Sequence, residues 1–314
     1  MNIKMKKTAE KIIIDCLGAK SNESALIITD SGADKEISNA LFSSAAECCH
    51  EAIMMTIKPR DENGQEPPII VAEAMKHADI IIAQTSKSLT HTKARVEACR
   101  CGSRVVSMPG VTREMMLKGG LDADYYSIQD YAMKLYDKLK NVKKISLMSD
   151  AGTNVEFDVQ GCTWVLDTGI CRLPGDMSNL PAGEIFVPPN DANGIVVIDG
   201  SMAGIGILDE PIEIKVKNGN AVGFTGKYAK KLEDLVDSVG PKGRNIAELG
   251  IGLNQTAILR GIVLEDEKVA NTVHVALGSN ASFGGNIDVQ LHLDGVINEP
   301  TIYIDGTLLQ QTVQ

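Results

Sequence analysis

Short apolar runs alternate with amphipathic stretches through the first half of the chain. After an amphipathic start at 1–18 (MNIKMKKTAEKIIIDCLG), residues 25–30 (ALIITD) form an apolar run, followed by SGADKE and an amphipathic segment over 35–49. The unit then recurs. Strands are expected at 53–57, 79–84 and 104–108, and helices at 67–77 and 90–101. Apolar strands separated by helices predict crossover connections and a parallel sheet covered on both faces. Helical spacing returns at 113–118 and 126–139, and a strand pattern closes this half at 144–148.

From residue 149 the texture changes. Gly, Asn, Asp and Pro punctuate short alternating runs at 155–159, 163–166, 194–198, 212–217 and 221–224, with one helical stretch at 227–238. That pattern predicts mostly antiparallel sheet. The expected class is α/β. Residues 1–147 form a doubly wound, mostly parallel sheet with helices on both faces, Rossmann-like or flavodoxin-like, and residues 148–314 form a β-rich α+β domain. No Pro/Ser linker or internal repeat marks the boundary, so a tight interface is expected there.

Composition narrows the functions. A 314-residue chain that is 44% hydrophobic has the material for a large buried core. No apolar run approaches the roughly 20 residues that span a bilayer, and the amphipathic start is unlike a signal peptide, so a cytoplasmic protein without membrane contact is expected. Seven cysteines without repeated CxxC spacing favour reduced, mostly buried thiols over a zinc ribbon or disulfide framework. A net charge of −10 and 4% aromatic residues argue against a nucleic-acid partner. Residues 31–36 (SGADKE) lack the later glycines of a dinucleotide loop, and no phosphate-binding GxxxxGK[ST] occurs.

Candidate chemistry concentrates in the second half, in four segments that set a carboxylate or imidazole beside glycine or proline: 179–189 (NLPAGEIFVPP), 248–254 (ELGIGLN), 272–278 (TVHVALG) and 292–294 (HLD). On a strand, side chains two apart share a face, so His292 and Asp294 can point at a single ion. Each polar group lies in a run apolar enough to be buried, and a buried carboxylate requires a cation or good donors. Partnered core groups satisfy that requirement one by one. Two histidines and three carboxylates together point to a site for one or two divalent ions.

In this order NLPAGEIFVPP, ELGIGLN, EDEKVANTVHVALG (265–278) and HLDG (292–295) resemble the aminopeptidase T-type metallo-aminopeptidases, especially their short bacterial branch. The resemblance covers most of residues 145–305, while the first half matches best over 88–112 (SLTHTKARVEACRCGSRVVSMPGVT). It implies two divalent ions (Zn, Co or Mn) held by Glu184, Glu248, His274, His292 and Asp294, with Glu184 or Glu248 also serving as the catalytic base. The implied activity is removal of N-terminal residues from peptides by a metal-activated water, in a homo-oligomer. One departure stands out. Where those aminopeptidases carry a tyrosine after the first histidine, this chain has SNASF at 279–283. A related branch resembles the 2,5-dihydroxypyridine dioxygenases, which use one Fe(II) on two histidines and a carboxylate; His274, His292 and Asp294 would supply that triad. A third reading is a non-catalytic metal- or small-ligand-binding relative.

Two further residues are candidates. His91 follows the apolar strand at 79–84, and ligand sites in open α/β sheets lie at the carboxyl ends of strands, so it is a candidate acid, base or substrate contact, or simply a helix-start residue. Arg260 can bind a substrate carboxylate or pair with one of Glu265, Asp266 and Glu267.

Overall fold

The computed structural model describes residues 2–310, so the last four positions of the expected second domain lie outside the described residues. It forms two compact units, Met1–Gln129 with Asp167–Ala182, and Asp130–Leu166 with Gly183–Gln314. The sequence pattern suggests one boundary at 147/148; the chain instead passes between units three times. The reason lies in two elements. The helix Tyr125–Leu139 supplies Ala132, Leu135 and Leu139 to the core of the second unit, and the strand Lys144–Met148 pairs there with Asn154–Asp158. Residues 167–182 then return to the first unit.

The first unit is built on a five-stranded sheet in the order Glu51–Ile57, Ser24–Asp30, Ile80–Gln84, Arg104–Ser107, Met177–Asn179. Every pairing is parallel. Ile80–Gln84 and Arg104–Ser107 are buried along their whole length, as expected of strands covered on both faces. Helices begin where short polar side chains cap them: Asp34 Oδ1 accepts from the Glu36 amide at 2.8 Å, and Thr92 Oγ1 from the Arg95 amide at 3.2 Å. The strand at 177–179 joins the sheet edge from far along the sequence, and three residues carry no periodicity that would announce it. At the carboxyl ends of the strands a crevice of about 480 Å³ is lined by Gly32, Gln84, Ser86 and Arg113, among others.

The second unit is a sandwich of two seven-stranded sheets. One contains the expected strands as Asn154–Asp158, Asp191–Ile198, Ile212–Lys217 and Asn220–Thr225, all antiparallel. The other contains, side by side, Glu184–Val187, Ile246–Gly252, Thr272–Gly278 and His292–Asn298, also antiparallel. Their alternation assigns the faces. Ile185, Val187, Leu249, Ile251, Val273, Val275, Leu277 and Ile297 enter one hydrophobic core with Phe157, Val196 and Ile214 of the facing sheet. The opposite face carries every second residue.

No helix among the described residues is long and apolar enough to cross a membrane. All seven cysteines are free; only Cys16 and Cys171 are buried, fewer than the composition suggests.

Candidate metal centre

Register brings the predicted ligands together. Glu184 lies opposite Gly252, Glu248 opposite Ala276, His274 opposite Gly250, Asp294 also opposite Ala276, and His292 opposite Gly278. All five therefore project from the face turned away from the core. The positions between them are small for a reason. A Cβ on Gly250 would sit 2.0 Å from His274 Nε2, and one on Gly252 would sit 2.0 Å from the Val269 carbonyl oxygen. The alternation Glu248, Gly250, Gly252 and His274, Ala276, Gly278 is thus a floor of small residues on which the ligands lie, with apolar residues filling the other face. A register shift between Ile246 and Glu248 sets this alternation into place.

Two overlapping groups result. Glu184, Glu248 and His274 form one, and Glu248, His292 and Asp294 the other, the ligand atoms of each lying within 4.8 Å of one another. Glu248 belongs to both. His274 Nε2 is 3.1 Å from Glu248 Oε1 and 3.3 Å from Glu184 Oε2. His292 Nε2 is 3.2 Å from Asp294 Oδ1 and 3.5 Å from Glu248 Oε2. The two histidines thus occupy different groups, linked by a carboxylate that faces each of them.

Burial and charge fit a cation. Glu184, Glu248, His274 and Asp294 are buried, whereas the His292 side chain keeps 33% of its exposure. Burial alone would push the His274 imidazole down, but the Glu248 hydrogen bond and the charges of Glu184, Glu248 and Asp294 raise it to about 9. His292 is likewise raised, against burial, chiefly by Asp294. Asp294 is held well below the usual carboxylate range because the imidazoles outweigh its own burial. The carboxylates therefore favour positive charge at the imidazoles. His292 Nδ1 lies 2.8 Å from the Ser279 carbonyl, an acceptor that fixes the tautomer and turns Nε2 toward the carboxylates, as in histidine metal ligands generally. The donor set fits a divalent ion.

Sequence reasoning missed two members of this neighbourhood. Lys268, 1% exposed at its side chain, forms ion pairs with Glu184 and, at 2.6 Å, with Glu267. The Glu267 carboxyl is pushed up to about 8 by burial, and by Asp294 and Glu184, against the opposing pull of Lys268. Both lie in EDEK (265–268), where Glu267 is expected only as a candidate partner of Arg260 and Lys268 is given no role. The backbone delivers them inward, because the chain returns after the glycine floor: the Asn254 amide donates to the Lys268 carbonyl at 2.8 Å, and the Ala270 amide to the Asn254 carbonyl at 3.1 Å. No local signal encodes that return.

The remaining candidates belong to neither ligand group. Arg260 Nε donates to the buried Glu265 at 3.0 Å, and Asp266 accepts from the Arg260 and Gly261 amides at 2.7 and 2.8 Å. The ion-pair alternative describes this geometry. His91 belongs to the first unit, exposed in the turn between Ile80–Gln84 and the helix Lys93–Arg100.

Comparison with known proteins places this geometry. A family model described as 2,5-dihydroxypyridine 5,6-dioxygenase, NicX, matches residues 9–313. The chain belongs to the NicX family. No curated protein matches it by sequence. Among solved structures, a 2,5-dihydroxypyridine dioxygenase from Pseudomonas putida KT2440 superposes with a TM-score of 0.81 at 17% identity, covering 98% of this chain and 97% of that one. AmpT from Thermus thermophilus superposes at 0.70, also at 17% identity, with 98% and 96% covered. At that identity the two share the fold with this chain. NicX membership corrects the emphasis of the sequence reading: the family is the dioxygenase branch that the motifs place second, on a scaffold common to both.

Proposed function

We propose that this NicX-family chain is a mononuclear non-haem Fe(II) dioxygenase that opens the ring of a hydroxylated pyridine or a close planar relative. The observation that carries this reading is the family match across residues 9–313. The chemistry of the ligand face agrees with it, since it offers imidazoles and carboxylates with one edge, at His292, partly open.

In this reading His274, His292 and Asp294 hold the ion, with Glu248 alongside both imidazoles. When bound, ferrous iron supplies the one-electron chemistry that lets dioxygen react with an organic ring. The chain does the rest. Ser279 orients His292, and Lys268 compensates the charges of Glu184 and Glu267. His91 is assigned acid, base or substrate-contact duty, and Arg260 acts through Glu265 rather than on substrate. A homo-oligomer of this chain in the cytoplasm completes the proposal.

One observation favours a second reading. Glu248 is shared by two three-ligand groups, the arrangement in which a carboxylate bridges two ions of a hydrolase. There Glu184 or Glu248 is the base and Zn, Co or Mn the metal. The test is anaerobic reconstitution followed by metal counting, with oxygen uptake measured on 2,5-dihydroxypyridine and release of N-terminal residues measured on a peptide panel. One iron per chain with substrate-dependent oxygen uptake is expected; two ions with peptide hydrolysis and no oxygen uptake would overturn the proposal.

A further inference from the structure

The chain has five phenylalanines, and two of them stand at the open edge of the ligand cluster. Phe186 is two residues from Glu184 on the same strand, so it shares the ligand face, and it lies opposite Gly250, the residue under the His274 ring. Phe283 ends the short turn Ala281–Phe283, followed by Gly284 in a left-handed conformation at φ 109°. The Phe186 and Phe283 rings meet edge to face, with centroids 5.3 Å apart and planes at 83°. Phe283 in turn meets the His292 ring at 5.8 Å and 88°. Both phenylalanines are half-buried, unlike Phe157, which is wholly enclosed in the core. Partly exposed aromatic surface beside charged ligands has a solvation cost that packing alone does not require, and it is recovered when a flat apolar surface covers it.

We infer that Phe186 and Phe283 form a recognition wall that selects a planar aromatic substrate and aligns it beside His292. The inference rests on the dioxygenase reading and names the residues that would set its specificity. A phenyl edge offers nothing to the amino terminus of a peptide, and at position 283 there is no hydroxyl to bind metal or substrate. A flat ring, by contrast, packs against both phenyl groups through offset or edge contacts.

The test uses zinc-loaded full-length protein, which binds without turnover. Calorimetry compares 3-hydroxypyridine with its saturated analogue 3-hydroxypiperidine, on wild type, Phe186→Leu, Phe283→Leu and Phe283→Tyr, and zinc affinity is titrated on each. Each leucine variant is expected to weaken hydroxypyridine binding roughly 3- to 10-fold, with the piperidine and zinc affinities within about twofold of wild type. Phe283→Tyr keeps the ring and should keep the binding, even where a leucine variant folds poorly. Parallel loss of zinc affinity would show that Phe283 merely props His292, and equal loss for both ligands would show that no planar selection exists; either overturns the wall. If wild type binds hydroxypyridine and the leucine variants bind it equally well, the wall fails while the dioxygenase reading stands. If zinc-loaded wild type binds neither ring but does bind leucine hydroxamate, the dioxygenase reading fails as well.

Discussion

The two halves of the metal centre share Glu248 yet are built differently. The inner group, with Glu184 and His274, is sealed from solvent, its charge compensated by Lys268. The outer group pairs the buried Asp294 with His292, which opens its strand, is a third exposed and depends on the 279–291 loop for the Ser279 carbonyl that orients it. The difference separates a rigid anchor from an adaptable mouth. Precise sites are held on sheet and helix, whereas exchange with ligand happens where loops define the wall.

The largest effect should come from the anchor. His274→Ala leaves Glu184 and Glu248 buried without their imidazole, a situation that costs about 3–5 kcal/mol when one member of a buried charged pair is removed. Metal binding should be lost beyond the roughly 10–100-fold typical of an outer-shell change. Urea denaturation and metal titration check both. If His292→Ala costs as much stability, the inner and outer groups are not distinct; a penalty well under half of that at His274 is expected, because His292 is a third exposed.

Next comes the floor. In Gly250→Ala the added methyl carbon would fall 2.0 Å from His274 Nε2, so the ring must move off the strand. Metal affinity should fall about 10–100-fold while the antiparallel sheet, by circular dichroism, is retained. Unchanged affinity would mean that the ring does not need its place over the strand.

Protons sharpen the comparison further. His274 is raised from 6.5 to about 9 in the protein without metal, so the folded state binds more protons than the unfolded chain across that interval. That contribution to stability is fully present below pH 6.5 and is lost as pH rises through about 9. A metal ion requires the unprotonated imidazole, so its affinity should increase over the same interval. Melting scans from pH 6 to 10 should show the metal-free protein losing stability while the gain in Tm on adding metal grows. A gain that shrinks with pH would contradict the assignment.

How much of this was legible in the chain follows the same division. The parallel sheet of the first unit was readable because its strands are apolar throughout and its helices amphipathic, as at 24–30 and 35–48. The five candidate ligands stood out by type and by their neighbours. Even the glycine floor was written in a period of two, Glu248, Gly250, Gly252, although such glycines are easily taken for turns. What could not be read depends on tertiary return. The edge strand Met177–Asn179 and the inward course of Lys268 both follow from pairings with distant segments, and a run such as EDEK carries the same pattern whether it faces water or turns inward.

The smallest expected effect tests the loop. Asn280 is 4% exposed, and its Oδ1 accepts from the Ile287 amide at 2.9 Å, while the Asn280 amide donates to the Ile287 carbonyl at 3.0 Å. These bonds close the loop that carries Ser279 and Phe283. Asn280→Ala removes one of them and leaves the half-buried Ile287 amide without its acceptor, a local cost of about 0.5–1.5 kcal/mol. Because the loop contributes to His292 alone, metal affinity should fall only a few-fold, and hydrogen exchange should accelerate at 279–291 but not at 246–252 or 272–278. Faster exchange in those two strands would mean that the mouth and the anchor open together, and the separation drawn between them would fail.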